Sequence, residues 1–295
     1  MGDPLSGSQE TAREQTNNLI RLPDATTLFH HRAARFRQLA CKQQSMAGYL
    51  SLLAELAEIQ HCLAERFTEL PPPAKNTGLP LDIVAANSAP AWREALRHIA
   101  MRMEEKPSAV GTALVRIGRA NDAEMAGWAE ALLLGTFDRI DTALAPFVAA
   151  ALQAFWTSQA AGLNSTQLTA PQQPNLCPAC GSPPVASLLH SGGDLHGLRY
   201  LCCSLCATQW NRPRIHCAHC GSNEKMAYYG IEGAADAVKA EACGGCRAYL
   251  KIMDREKDTQ VDPFADDIAT LALDLLMAEE SYQRLGVNLL LLPGT

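Results

Sequence analysis

Apolar residues recur at every third or fourth position through the first half of the chain, which is the spacing of one buried helix face. The clearest run spans Tyr49 to Leu70 and ends at the three prolines that follow it. A second run begins after Ser88 and ends before Pro107. The same spacing predicts further helices at 24–39, 108–119, 122–134 and 137–161, the last one kinked at Pro146. Residues 1–162 are therefore predicted to be all-helical.

The periodicity changes after residue 162. A polar, proline-containing stretch at 163–176 is predicted to be a linker. Beyond it, alternating runs predict two hairpins and one further strand, at 185–189 with 198–202, 225–231 with 237–241, and 248–253. Asp262-Pro263 is predicted to open a last helix that reaches Tyr282. The acidic residues of that segment are predicted to form a solvated face, with an acidic recognition surface as the alternative.

Four cysteines in the strand-rich half recur after a fixed interval of 40 residues. They form C-x-x-C pairs, and Gly-Ser follows the first pair of each set. A fixed period of this kind indicates one supersecondary unit used twice. The candidate ligands are Cys177, Cys180, Cys203 and Cys206 in the first set and Cys217, Cys220, Cys243 and Cys246 in the second.

Two cysteines separated by two residues can place both sulfurs on one ion from a tight turn, and two such turns complete a tetrahedron. The pattern therefore predicts two mononuclear four-cysteine sites. Each would hold zinc or iron, since the ligand set alone does not choose between these metals. Cys202 is adjacent to Cys203, but only Cys203 keeps both the pair spacing and the 40-residue interval. His216 and His219 are weaker alternatives as ligands, and redox-active disulfides are the competing interpretation of the pairs.

The composition and the apolar segments of the chain indicate the number of domains and the compartment in which these sites occur. Hydrophobic residues make up 47% of the 295 residues and charged residues 19%, a globular balance with room for about two domains. The N-terminus lacks a basic segment followed by an apolar run, and no apolar stretch is long enough to span a bilayer. We therefore expect a cytoplasmic protein without membrane insertion, in which the pairs bind metal rather than form disulfides. Cys41 and Cys62 are predicted to be buried thiols.

The net charge of −6 argues against a nucleic-acid partner, because a phosphate backbone is repelled unless a local basic patch is present. One group of basic and aromatic residues keeps a nucleic-acid-binding zinc ribbon as an alternative, namely Arg199, Tyr200, Trp210, Arg212 and Arg214. The same residue types also suit a protein-binding surface.

Catalytic signatures are missing from the sequence. It contains no P-loop, no G-x-G-x-x-G turn, no G-x-S-x-G elbow and no H-E-x-x-H helix. A four-cysteine site has no open coordination position of the kind a catalytic zinc keeps. The sequence thus predicts a binding protein rather than an enzyme.

Several segments resemble the FdhE family of formate dehydrogenase accessory proteins. They are RYLCCSLCATQWNRPRIHCAHCGS at 199–222, VKAEACGGCRAYLKIMDREKD at 238–258, DDIATLALDLLMAEESYQRLGVNLLLLPG at 266–294, and the helical stretch at 29–60. The resemblance spans nearly the whole chain, and its cysteine portion is specific. It implies a cytoplasmic protein that acts on the catalytic subunit of respiratory formate dehydrogenase, with iron as the metal.

The expected architecture is α+β. A helical domain at 1–162 precedes the linker, two tandem rubredoxin-like or zinc-ribbon units follow at 177–214 and 215–257, and a C-terminal helix and tail occupy 258–295. A redox role acting on the partner's cofactors is a further alternative, and self-association stays open.

Overall fold

A computed structural model describes residues 20–70, 78–83, 89–103, 108–164, 168, 173–233 and 236–292. It combines a bundle of helices with one mixed sheet, and this confirms the predicted α+β class. The predicted helix limits at Ser88 and Pro107, and much of the 163–176 linker, lie outside the described residues.

The bundle contains six helices in the described part of the first 162 residues, at α1 Leu28–Lys42, α2 Ala47–Phe67, α3 Pro90–Arg102, α4 Ser108–Arg119, α5 Asp122–Leu133 and α6 Ala145–Ala161. Each was expected from its apolar spacing. Asn121 starts α5 with a capping box, in which its side chain accepts from the backbone N–H of Glu124 while the Glu124 carboxylate accepts from that of Asn121. Helix α6 is buried on all sides and forms the centre of the bundle.

The prediction of one kinked helix at 137–161 was wrong. A short 3-10 turn at Phe137–Arg139 is followed by a separate α6 that begins at Ala145. Pro146 lies in the first turn of α6, where its missing N–H removes no helical hydrogen bond, and so it starts the helix rather than bending it.

The sheet runs in the order β1-β4-β3-β2-β7-β6-β5, and β8 pairs with β7 beside this path. Its strands are β1 Ile20–Arg21, β2 Pro184–Leu189, β3 Arg199–Cys203, β4 Gln209–Asn211, β5 Met226–Tyr229, β6 Val238–Cys243, β7 Ala248–Asp254 and β8 Gln283–Arg284. Both predicted hairpins and the strand at 248–253 are confirmed. The all-helical prediction for 1–162 was wrong at β1, which pairs with β4 through Ile20 and Trp210.

The two cysteine units are fused edge to edge. Strands β2 and β7 pair in parallel, with Ser187 opposite Ile252. The 40-residue interval relates β2 to β5, β3 to β6 and β4 to β7, so each unit contributes three equivalent strands to one continuous sheet. Strand β5 forms one edge of that sheet.

The C-terminal segment differs from its prediction in two ways. The expected single helix is divided into α7 Ala265–Ala269 and α8 Leu271–Glu279 at Thr270, and Tyr282 lies beyond both. Its acidic residues also do not form a solvated face, because Asp266 and Asp267 are buried. Hydrophobic patterning alone could not reveal this burial, since the cationic partners come from distant parts of the chain.

Those partners tie the segment to the rest of the molecule. Arg35 on α1 holds Asp266 through two hydrogen bonds, of 2.9 Å from its Nε and 2.5 Å from a terminal nitrogen. Lys251 on β7 and Arg284 on β8 both pair with Asp267. Buried carboxylates need such partners because an isolated charge in the core is strongly unfavourable.

One apolar core spans the helices, both cysteine units and the C-terminal segment. Cys41 and Cys62, expected to be buried, are exposed instead, since they lie on the outer faces of α1 and α2. None of the described helices combines the length and the apolar character that a bilayer crossing requires.

Candidate metal centres

The structure brings the eight cysteines of the repeat together in two groups of four. Within each group the four sulfurs lie within 4.8 Å of one another. We call Cys177, Cys180, Cys203 and Cys206 the first site, and Cys217, Cys220, Cys243 and Cys246 the second site. That they bind metal remains a prediction from their chemistry and geometry.

All four C-x-x-C turns have the same backbone form. The residue after the second cysteine has a positive φ in each, at Gly181 (79°), Ala207 (57°), Gly221 (76°) and Arg247 (60°). In three of these turns that residue also donates its backbone N–H to the carbonyl of the first cysteine; these are Gly181, Gly221 and Arg247. The sequence indicated the left-handed residue only where it is glycine, and the structure adds Ala207 and Arg247.

The sulfur separations fit a tetrahedral ion. In the first site, Cys177 and Cys206 are 3.6 Å apart and Cys180 and Cys203 are 3.5 Å apart, measured between Sγ atoms. In the second site the corresponding distances are 3.6 Å and 3.8 Å. A regular tetrahedron with metal–sulfur bonds of about 2.3 Å has sulfurs about 3.8 Å apart. Both sites therefore match a four-thiolate ion such as Zn²⁺ or iron.

Backbone groups support thiolate charge at these sulfurs. The N–H groups of Leu205 and Cys206 both point at Cys203 Sγ, each at 3.4 Å. The N–H of His219 lies 3.4 Å from Cys217 Sγ in the second site. Such donors orient the ligands and offset part of their negative charge.

The thiols within each site differ in acidity. Burial raises the pKa of Cys177 and Cys203 well above the usual value. Burial acts on Cys180 in the same direction, but its contacts with the other three thiols lower its pKa. In the second site, burial acts to raise the pKa of Cys243, yet the N–H groups of Cys246 and Gly245 and the neighbouring thiols lower it to about 7. Each site thus places a readily ionised thiol among others that a bound cation would have to deprotonate.

The first site is enclosed between the sheet and the helix bundle. Its four cysteines are at most 1% exposed. Gln153 of α6 donates to the carbonyl of Ser204, which lies between two of the ligands, at 2.9 Å. On the other turn, the Leu81 N–H donates to the carbonyl of Ala179, also at 2.9 Å. The Thr208 hydroxyl oxygen lies 3.2 Å from Cys206 Sγ.

The second site lies on the opposite part of the sheet and is more open. Cys217 and Cys243 are buried, Cys246 is half-buried and Cys220 is exposed. No sequence feature identified this difference, because the two sets share their spacing.

The structure also shows where the alternative ligands considered for the two sites lie. The Cys202 thiol is buried outside both sites, and burial raises its pKa to about 12. His216 turns its Nδ1 to within 2.9 Å of the Arg214 carbonyl oxygen, and neither His216 nor His219 joins a site.

The basic and aromatic group considered for nucleic-acid binding does not form a surface. Arg199, Tyr200 and Trp210 are each at most 1% exposed. Arg199 instead pairs with Glu241 of the second unit and donates to the carbonyl of His216 at 2.9 Å. Sequence reasoning missed Glu241, although an acidic residue within a predicted strand was a visible signal.

Comparison with known proteins places the chain among FdhE proteins. Family models match in three consecutive parts, FdhE N-terminal at 17–173, the FdhE central domain at 176–214 and the FdhE C-terminal domain at 215–291. A protein FdhE homolog of Pseudomonas aeruginosa is 40% identical, over 90% of this chain and 91% of its own length. One from Pseudomonas putida is 37% identical over 98% and 95%. A crystal structure of the FdhE protein from Pseudomonas aeruginosa superposes with a TM-score of 0.82, at 36% identity, covering 94% of this chain and all of that one.

Proposed function

We propose, from the premise that this chain belongs to the FdhE family, that it is an accessory protein of respiratory formate dehydrogenase. It binds the catalytic subunit through the metal-stabilised sheet and does not itself catalyse a reaction. The observation that carries this proposal is the pair of four-cysteine sites that the sheet brings together. Four thiolates fill the tetrahedron, so the ion would fix shape rather than activate a water molecule.

The second unit carries exposed apolar residues that suit a protein partner, with Tyr228 and Tyr229 on opposite faces of β5. Ile215, Tyr228 and Tyr229 are large apolar residues with exposures of 57%, 46% and 37%. Tyrosines are enriched among the residues that dominate binding energy at protein interfaces. Strand β5, which carries both tyrosines, is also an edge strand whose outer backbone can pair with an incoming segment.

The proposed setting is the cytoplasm. Free thiols in C-x-x-C pairs persist as metal ligands where the compartment is reducing. The eleven cysteines are all unpaired in the structure, which supports this setting.

A capture experiment with the purified catalytic subunit tests the proposal. The full-length protein is immobilised and the Ile215→Asp variant is compared with the unaltered chain. Placing a charge in an apolar contact should weaken capture at least ~10-fold. Val115→Asp is the matched control, because Val115 is similarly exposed but lies on α4. Equal capture by all three proteins would contradict binding through the second unit, and no capture by any would contradict the proposed partner.

A redox role is the second candidate, and the exposure of Cys220 favours it. An iron ion in four thiolates can exchange an electron only if a donor approaches closely, and the second site permits that approach. A visible spectrum of protein purified from iron-replete cells decides between the two. Colourless protein without iron would rule the redox role out and leave the binding role unaffected.

A further inference from the structure

The two metal sites are built from one repeat but differ in what surrounds them. Ser204 and Leu205 fill the turn of the first site, and the 40-residue interval places Gly244 and Gly245 at the equivalent positions of the second. Leu205 is buried in the core, whereas Gly244 and Gly245 have no side chains with which to cover the sulfurs. The ligands of the two sites therefore share their geometry, but fewer side chains cover the ligands of the second site.

The first site is also locked by the helix bundle. All four of its sulfurs belong to the main apolar core, and none of the second site's cysteines does. Gly181 shows how close this packing is, because a Cβ there would lie 3.0 Å from a methyl carbon of Leu79. To expose any first-site ligand, the sheet would have to separate from α6 and from Leu81, whose contacts bracket both turns.

We infer that the second site is an exchangeable metal site with Cys220 as its point of entry, while the first site holds its ion permanently. A small thiol or nitrogen chelator is the chemical class that would reach it. A donor atom of such a chelator would replace the Cys220 thiolate on a bound ion, and the displaced thiolate would take a proton from water. No electron is transferred, so no oxidant is needed.

Because of this asymmetry, the metal occupancy of the second site can vary while the helices and the first unit stay folded. The first unit is held by the main core. The second unit meets that core through Ala218, Val238, Leu250 and Met253 but not through its cysteines. It also packs against the C-terminal segment in a separate small cluster, formed by Ala240, Ala242, Tyr249, Leu273, Met277 and Tyr282. Loss of the second ion would thus loosen the Cys217 and Cys243 turns without dismantling the helices.

Metal release from the full-length, zinc-loaded protein tests the inference. A chromogenic chelator is added in excess, and zinc release is followed by absorbance and calibrated by total metal analysis. We expect one equivalent to leave in a fast phase and one in a slow phase at least ~100-fold slower, because the slow phase requires local opening of the core. Release of both equivalents in a single phase would overturn the inference.

The sites are assigned with two variants and one control. Cys220→Ser should abolish the fast phase only, and Cys180→Ser, its equivalent 40 residues earlier, should abolish the slow phase only. Cys41→Ser removes an exposed thiol outside both sites and should leave both phases unchanged. Retention of the fast phase in Cys220→Ser together with loss of the slow one would reverse the assignment and overturn the inference.

Cysteine alkylation of the unaltered protein provides a second test, which does not require that Cys180→Ser folds. Iodoacetamide is added after the fast phase and the modified cysteines are identified by mass spectrometry. The second-site thiols should be alkylated and the first-site thiols protected, with helical circular dichroism unchanged. Alkylation of both sets at equal rates would overturn the inference. Partner capture plays no part in these measurements, so their failure would leave the proposed function standing.

Discussion

Arg199 joins the two cysteine units at the level of a single side chain. It is 1% exposed, pairs with Glu241, and holds the loop before the second site through the carbonyls of Pro213 and His216. Tyr228 donates to the other oxygen of Glu241 at 2.8 Å. Burial raises the pKa of Glu241 even though Arg199 acts to lower it. Removal of either Arg199 or Glu241 should therefore destabilise the protein strongly.

Replacing Arg199 with alanine should destabilise the protein by about 3–5 kcal/mol, because it leaves the Glu241 carboxylate buried without its cation. The free energy of unfolding is measured by urea titration at neutral pH. Arg119→Ala is the control, since Arg119 is exposed at the end of α4 and its removal should change stability by no more than about 0.5 kcal/mol. Similar losses of unfolding free energy in the two variants would show that the Arg199–Glu241 pair contributes no more to stability than an exposed arginine.

Asp267 makes a second residue-level prediction, which concerns pH. Burial acts to raise its pKa, but Arg284 and Lys251 outweigh that effect and lower it below the ordinary value of 3.8. A carboxyl with a depressed folded-state pKa contributes stability above 3.8 that is lost as pH falls through the lower folded value. Asp267→Asn should therefore lose less stability than the unaltered protein between neutral pH and pH ~3.

Urea midpoints measured across that range check the prediction. Asp138→Asn, at an exposed position, serves as the control and should follow the unaltered protein. If Asp267→Asn follows the same acid dependence as well, Asp267 does not titrate as described.

At the scale of elements, the helices and strands that depend on local sequence signals were predicted correctly. The helix at 108–119 and the hairpin strands near 185–189 and 198–202 agree with the structure to within about a residue, because their apolar spacing and flanking residues are local. Strands β1, β4 and β8 were missed, since each has only two or three residues. Strands β1 and β8 also exist only through a distant partner. The ligand set followed from the repeat, whereas the enclosure of one site depends on tertiary packing that no spacing encodes.

The start of α5 gives a prediction at this scale. Asn121 accepts two backbone N–H bonds of 3.0 Å, from Ala123 and Glu124. Asn121→Ala should cost about 1 kcal/mol of unfolding free energy, because two N–H groups at the helix start lose their acceptor. Glu130→Ala, exposed within the same helix, is the control and should cost nothing, since alanine favours helix. A neutral Asn121→Ala would mean that solvent replaces the cap.

At the scale of the molecule, the two sites should contribute unequally to stability. Cys180→Ser removes a ligand from the main core, and a bound zinc of this type contributes on the order of 10 kcal/mol, comparable with the stability of a whole domain. Cys220→Ser affects a ligand at the surface of the second unit. Thermal unfolding followed by helical circular dichroism should therefore show a large loss of Tm for Cys180→Ser and a small one for Cys220→Ser. Equal losses would contradict the unequal enclosure of the sites.

The parallel pairing of β2 with β7 has a consequence for how the two repeats depend on each other. A chain shortened before residue 215 would strip β2 of its neighbour and bare a strand whose residues Val185, Ala186 and Leu188 are fully buried in the intact protein. Bared apolar strands recruit one another and aggregate. The second repeat thus keeps the first one soluble by covering β2, and it cannot be removed without exposing that strand.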